Sequence, residues 1–171
     1  ADYLGVKLVV NMRTNINQMF DDLENNKADF IAAGLLYNKE RLETTRSGPA
    51  YFSVSQQLIY RKGTLRPRSF DALDGRLVVT AGSAHASLLR TLKETQYPEL
   101  EWEESDNQTT SQLLEELSEG KITYVLADSI SVAVQQRIHP NVAIGFEVTE
   151  SRPLTWYLPD SEDNSLYAAM L

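Results

Sequence analysis

The 171 residues contain no cysteine, which excludes disulfides, thiolate nucleophiles and thiolate metal ligands together. Histidine is nearly as scarce: His85 and His139 are the two present, too far apart to make a ligand pair at helical spacing. No apolar run reaches the roughly 18 residues of a membrane span, so no transmembrane segment is expected, and any export leader is expected to lie outside these residues. Positive charge is in the minority, 16 Lys and Arg against 24 Asp and Glu for a net charge of −8. Repulsion from phosphates then argues against a nucleic-acid partner or an anionic membrane surface. The local exception, Arg61, Lys62, Arg66 and Arg68, surrounds Gly63 and Pro67 and reads as a solvated connector. A glycine-rich phosphate loop is absent. Ala81 to His85 lacks the flanking glycines of a nucleophile elbow, and Glu99, Glu101, Glu103 and Glu104 crowd a short polar segment that reads as a solvated edge. No cofactor, no metal and no catalytic residue is expected in this chain.

What remains is a chain long enough to bury about two-thirds of its unfolded surface, patterned as an α/β protein. Val6 to Val10 reads as a buried strand. Ile16, Met19, Phe20 and Leu23 fall at i, i+3, i+4 and i+7, the stripe of a helix lying on a sheet. A strand over Asp29 to Ala33, ending at Gly34, completes what reads as a parallel crossover unit. Gly48 to Ser53 reads as a turn, and Val54 to Arg61 as a strand crossing to a second lobe. Further strands are expected at Arg76 to Thr80, Leu100 to Glu104, Val142 to Val148 and Leu154 to Leu158, with helices through Leu88, Leu89 and Leu92 and after a cap at Thr109 or Thr110. Ala1 to Gly5 reads as a helix end and Ser165 to Leu171 as a helix start, so a fragment of a longer protein is expected.

The sequence also repeats itself. Gln18 to Gly34 aligns without gaps with Gln112 to Asp128, 94 residues later: helix, tight turn and strand recur in step. Two similar lobes follow from this, residues 1–57 with 154–171 and residues 58–153, joined by two crossing strands that act as a hinge.

In open sheets of this kind ligands sit beyond the carboxyl ends of strands, which selects Gly34 to Arg41, Gly82 to His85, Asp128 to Ser131 and the ends of the crossing strands. Arg41 offers a planar fork suited to a carboxylate, with pairing to Glu40 or Glu43 as its alternative. Gly82-Ser83-Ala84 offers amides at a helix start, as any strand-to-helix turn does. Asp128, ending an apolar strand, either meets a ligand ammonium or caps the helix that begins near Ser129.

Ala28 to Gly34, Lys39-Glu40-Arg41, Ser47 to Tyr51, Phe70 to Gly75, Val78 to Ser83 and Gly120-Lys121-Ile122 leading to Asp128 resemble the family 3 extracellular solute-binding proteins. The resemblance implies a type II periplasmic-binding-protein-like fold, truncated at both ends. It implies a ligand site of Gly34, Leu36, Arg41, Ser83, His85 and Asp128, with Arg41 on an α-carboxylate and Asp128 on an α-ammonium. Leu36 stands where amino-acid binders of the family usually carry a hydroxyl. Within the family, Gln56 to Gly63, Ala81 to His85 and Arg137 to Asn141 resemble the binding modules joined to peptidoglycan-cleaving lytic transglycosylases. The implied protein is periplasmic, its parent associated with the outer membrane. The module would bind a muropeptide, peptide or amino acid and act on a C-terminal catalytic domain of the same polypeptide. The alternatives are a free-standing receptor for an importer, a dehydratase-type enzyme, and the effector half of a transcription regulator.

Overall fold

Four of the helices begin where a short polar side chain takes up a free backbone amide. Asn15 caps α1 (Ile16–Glu24), Ser83 caps α2 (Ala84–Thr95), Thr109 caps α3 (Thr110–Glu119) and Asp128 caps α4 (Ser129–Ile138). A short α5 (Ser165–Met170) follows near the end of the chain. The computed structural model describes residues 4–171. The expected helix end at Ala1 to Gly5 therefore lies mostly outside the described residues.

The strands form two sheets. β1 (Ile31–Leu36), β2 (Thr45–Val54) and β8 (Arg152–Pro159) make an antiparallel sheet in the order β1-β8-β2. β3 (Gln56–Arg61), β4 (Leu77–Thr80), β5 (Glu103–Ser105), β6 (Tyr124–Asp128) and β7 (Val142–Glu147) make the other, in the order β5-β4-β6-β3-β7. There β4 runs parallel to β5 and β6, and β3 antiparallel to β6 and β7. The chain passes between the sheets twice, at Ser55 and between β7 and β8.

The five-stranded sheet is covered on both faces. Leu113, Leu114 and Leu117 of α3 and Val132 of α4 pack against Ile59, Val78 and Val125, while Ala86 and Leu89 of α2 pack with Phe70 against Leu58, Leu77, Val79 and Leu126. This explains the unbroken apolar run through Tyr124–Ala127, since a strand buried on both sides has no polar face. Phe20 and Leu23 of α1 cover one face of the smaller sheet, with Phe20 edge-on to Tyr157 at 5.0 Å. Each large side chain buried in this way contributes about 1.5–3 kcal/mol.

Several expectations fail, each for a physical reason. Val6 to Val10 is not a buried strand: it pairs with no strand among the described residues, and Val10 is 69% exposed. β-branched residues suit a strand, but a strand also needs a partner ladder. The parallel crossover fails with it, because β1 pairs antiparallel with β8. β1 also continues through Gly34 to Leu36, kinked at Gly34 (φ 64) where its register slips. Gly48 to Ser53 belongs to β2 rather than to a turn. β2 is an edge strand, where a proline such as Pro49 is tolerated, and its register slips on either side of Ala50. The crossing strand breaks at Ser55, and β5 lies at 103–105 rather than 100–104.

The internal repeat is reproduced down to single hydrogen bonds. Asn15 accepts from Gln18 N, and Thr109 from Gln112 N. At the far ends, Lys27 N donates to Asp22 O and Lys121 N to Glu116 O, while Asn26 N donates to Leu23 O and Gly120 N to Leu117 O. Every pair is offset by 94 residues.

Candidate functional site

A cavity of about 240 Å³ lies between the two sheets. The repeat brings its two copies to it at equivalent places: Ile16 and Thr110 from the helix starts, Gly34 from the kink in β1 and Asp128 from the end of β6. All six residues singled out in the sequence, Gly34, Leu36, Arg41, Ser83, His85 and Asp128, line this one cavity.

Arg41 sits in a short 3-10 turn (Lys39–Glu43) whose start is capped by Asn38. Its guanidinium lies 4.3 Å over the Phe20 ring, and Nη2 donates to Asn17 Oδ1 at 2.5 Å and to Gly82 O at 3.3 Å. Neither Glu40 nor Glu43 takes it. Glu40 instead accepts from Ser87 and Arg90. Among the described residues nothing occupies Nε or Nη1, so two donors of the guanidinium stay available, while each bidentate edge of the fork shares the engaged Nη2.

Asp128 caps α4. Its Oδ1 accepts from Ile130 N (3.1 Å) and Ser131 N (2.8 Å), and Oδ2 accepts from Ser131 Oγ (2.6 Å). A carboxylate offers about four acceptor positions, so one remains, on Oδ2. The two readings of Asp128, helix cap and ligand contact, are thus compatible.

His85 is 5% exposed, and its Nδ1 lies 2.7 Å from Gln56 Oε1. Since an amide oxygen can only accept, Nδ1 carries the proton. Burial drives its pKa down to about 4, against a smaller opposing pull from the Asp128 carboxylate, so the ring is neutral near pH 7. The Ser83 hydroxyl donates to Thr80 O and accepts from Ala86 N, which commits it to the start of α2. The Leu36 side chain packs with Val54 and Leu154, and its carbonyl accepts from Tyr157 Oη at 2.8 Å. Burial pushes the Tyr157 pKa up to about 12.

Sequence reasoning missed Asn17 and Phe20, which hold Arg41, and Gln56, which holds His85. The helix stripe containing Phe20 and the repeat's own starts at Asn15 and Thr109 were the available clues. The two walls also touch directly: Asn38 Nδ2 donates to Ser87 Oγ, Arg90 pairs with Glu40, and Asn15 Nδ2 donates to Asp106 O.

The family model for bacterial extracellular solute-binding proteins, family 3, matches residues 1–101. Membrane-bound lytic murein transglycosylase F of Serratia proteamaculans (strain 568) is 54% identical over 171 residues, and that of Yersinia enterocolitica is 55% identical over the same length. The match takes in 100% of this chain and 35% of each relative, so the chain spans about a third of the length of the curated relatives it matches. Among solved structures, holo ArgBP from T. maritima is similar with a TM-score of 0.82 at 22% identity, over 99% of this chain and 72% of that one. The GluR0 ligand-binding core from Nostoc punctiforme, in complex with L-glutamate, is similar with a TM-score of 0.78 at 19% identity, over 97% and 75%. The architecture of two sheets and flanking helices is that of the type II periplasmic binding proteins.

Proposed function

This chain belongs to the bacterial extracellular solute-binding proteins of family 3, and we propose that it is the ligand-sensing module of a peptidoglycan lytic transglycosylase. In this reading residues 1–57 with 154–171 form one lobe and residues 58–153 the other. The ligand is an amino acid or a muropeptide. Its α-carboxylate lies on the Arg41 guanidinium and its α-ammonium on Asp128. Gly34 and the start of α2, with Ser83 and His85, supply the surrounding wall. One observation carries the reading: Arg41 and Asp128 line a single cavity, one with unengaged donors at Nε and Nη1 and the other with an unused acceptor position. Half-buried charges of opposite sign that line one cavity and do not pair with each other suit a ligand with both charges.

Closure of the lobes on the ligand would be relayed to a catalytic domain in the remaining two-thirds of the parent, which requires tighter ligand binding in one domain arrangement than in another. The parent would work in the periplasm, at the outer membrane. A free-standing import receptor would use the same cleft, but the 54–55% identity to transglycosylases over the whole chain favours the sensing role.

Calorimetric titration with free amino acids and muropeptides tests the binding. Saturable heat from at least one compound is expected, and silence from the whole panel would sink the reading. The relay is tested by the parent's lytic rate on murein sacculi. The rate is expected to change when the bound compound is added at saturation, and an unchanged rate leaves a binding module without a sensing role.

A further inference from the structure

The charges around the cavity do not balance. Arg13, Arg41 and Asp128 are its charged lining residues. His85, the other titratable base in the wall, is kept neutral near pH 7 by burial. Two guanidinium groups and one carboxylate thus line the cavity, with Arg13 paired through Nε to Asp22 outside the lining, and Asp128 has a single acceptor position left. Three nearby carboxylates are already engaged. Asp22 holds Arg13 Nε at 2.9 Å, Glu40 accepts from Ser87 and Arg90, and Glu104 accepts from Arg90 and the Trp102 indole. The rest of the polar wall is uncharged, made of the Asn38 carboxamide and of hydroxyls, among them Thr80, Thr110 and Ser111. Among the lining residues a ligand side chain leaving the Arg41–Asp128 pair therefore meets no second carboxylate.

We infer that the cleft selects an anionic amino-acid-like ligand, with two carboxylates and one ammonium, and that Arg13 sets this preference. The inference rests on the reading of the cleft as an amino-acid site. Arg13 Nη1 donates to Met12 O and Nε to Asp22, which leaves Nη2 with no acceptor among the described residues. A ligand carboxylate supplies one. A cationic side chain would instead be desolvated without a counter-charge and repelled by Arg13. The Arg13 side chain is 40% exposed, so solvent and salt screen its pull, and a several-fold preference rather than an absolute one is expected.

The test is a calorimetric comparison of L-glutamate, its neutral isostere L-glutamine, and L-arginine, with the whole protein and with Arg13→Gln. The unaltered protein is expected to bind glutamate about ten-fold more tightly than arginine and about five-fold more tightly than glutamine, on the order of 1 kcal/mol for the latter. In Arg13→Gln the glutamate-to-glutamine ratio falls toward one. Arginine affinity equal to or above that of glutamate, or an unchanged ratio in the variant, overturns the inference and leaves the amino-acid reading standing. No binding by any of the three, nor by the wider panel above, overturns both.

Discussion

Gln56 Oε1 lies 2.7 Å from His85 Nδ1, and through this contact the place where the chain changes sheets is tied to the cavity wall. Gln56 is the first residue of β3. Its carbonyl accepts from Val148 N and Thr149 N, and its amide donates to Thr149 Oγ1, so it also fastens the first passage between the sheets to the second.

Stability should fall as this imidazole is forced to charge. The folded pKa, about 4, lies below the unfolded value of about 6.5, so the unfolded chain takes up the proton first. The stabilisation is fully present above about pH 6.5 and is lost as pH falls toward 4. Between pH 7 and pH 5 the loss is about 2 kcal/mol. Urea denaturation of the protein and of His85→Gln at both pH values checks this. The variant should lack that part of the pH dependence, and parallel curves would contradict the assignment.

Replacing Arg41 separates charge from geometry. Arg41→Lys retains the positive charge but loses the planar fork, so ligand affinity should drop at least ten-fold. Arg41→Ala should drop it about a hundred-fold, a loss of about 3 kcal/mol. Calorimetry with whichever compound binds the unaltered protein decides the matter, and wild-type affinity in Arg41→Ala would remove the carboxylate anchor from the reading.

Asp128 has two roles that different substitutions pull apart. Asp128→Asn keeps a cap for α4 and removes the charge, so folding stability should change by less than about 1 kcal/mol while affinity for an ammonium ligand falls about ten-fold or more. Asp128→Ala loses the cap as well and should cost about 1–2 kcal/mol of stability. Denaturation and titration run side by side distinguish the two, and equal affinity for the aspartate and asparagine forms would mean that Asp128 serves only the helix.

The repeat offers a matched pair for a backbone test. Asn26 (φ 56) and Gly120 (φ 79) occupy equivalent left-handed positions at the ends of α1 and α3. Gly120→Ala should destabilise by about 1 kcal/mol, and Asn26→Gly should be neutral or stabilising by up to about 1 kcal/mol. Thermal unfolding reads both, and stabilisation by Gly120→Ala would contradict the geometry.

These pairs mark how far the sequence can be read. The stripe Ile16, Met19, Phe20 and Leu23 announces α1 because its spacing depends only on helix geometry, and the gapless alignment of Gln18–Gly34 with Gln112–Asp128 announces the second unit. The chain's turn chemistry was less reliable. Gly48-Pro49 has the signature of a turn, but β2 lies at a sheet edge, where a proline costs no ladder bond. Val6 to Val10 has strand composition, yet whether a strand forms is decided by a neighbour that local sequence does not specify. In the site, Arg41 and Asp128 were legible because strand ends can be counted. Asn17 and Gln56 were not, because their roles consist of tertiary hydrogen bonds to Arg41 and His85.

A cleft walled by two like copies of one motif has, to a first approximation, no head and no tail. A guest could enter it either way round. Direction arises where the copies diverge: Ile16 stands against Thr110 at the helix starts, and Gly34, bare backbone at the kink of β1, stands against the Asp128 carboxylate at the end of β6. The repeat therefore supplies the shape of the chamber, and its unmatched positions supply the compass.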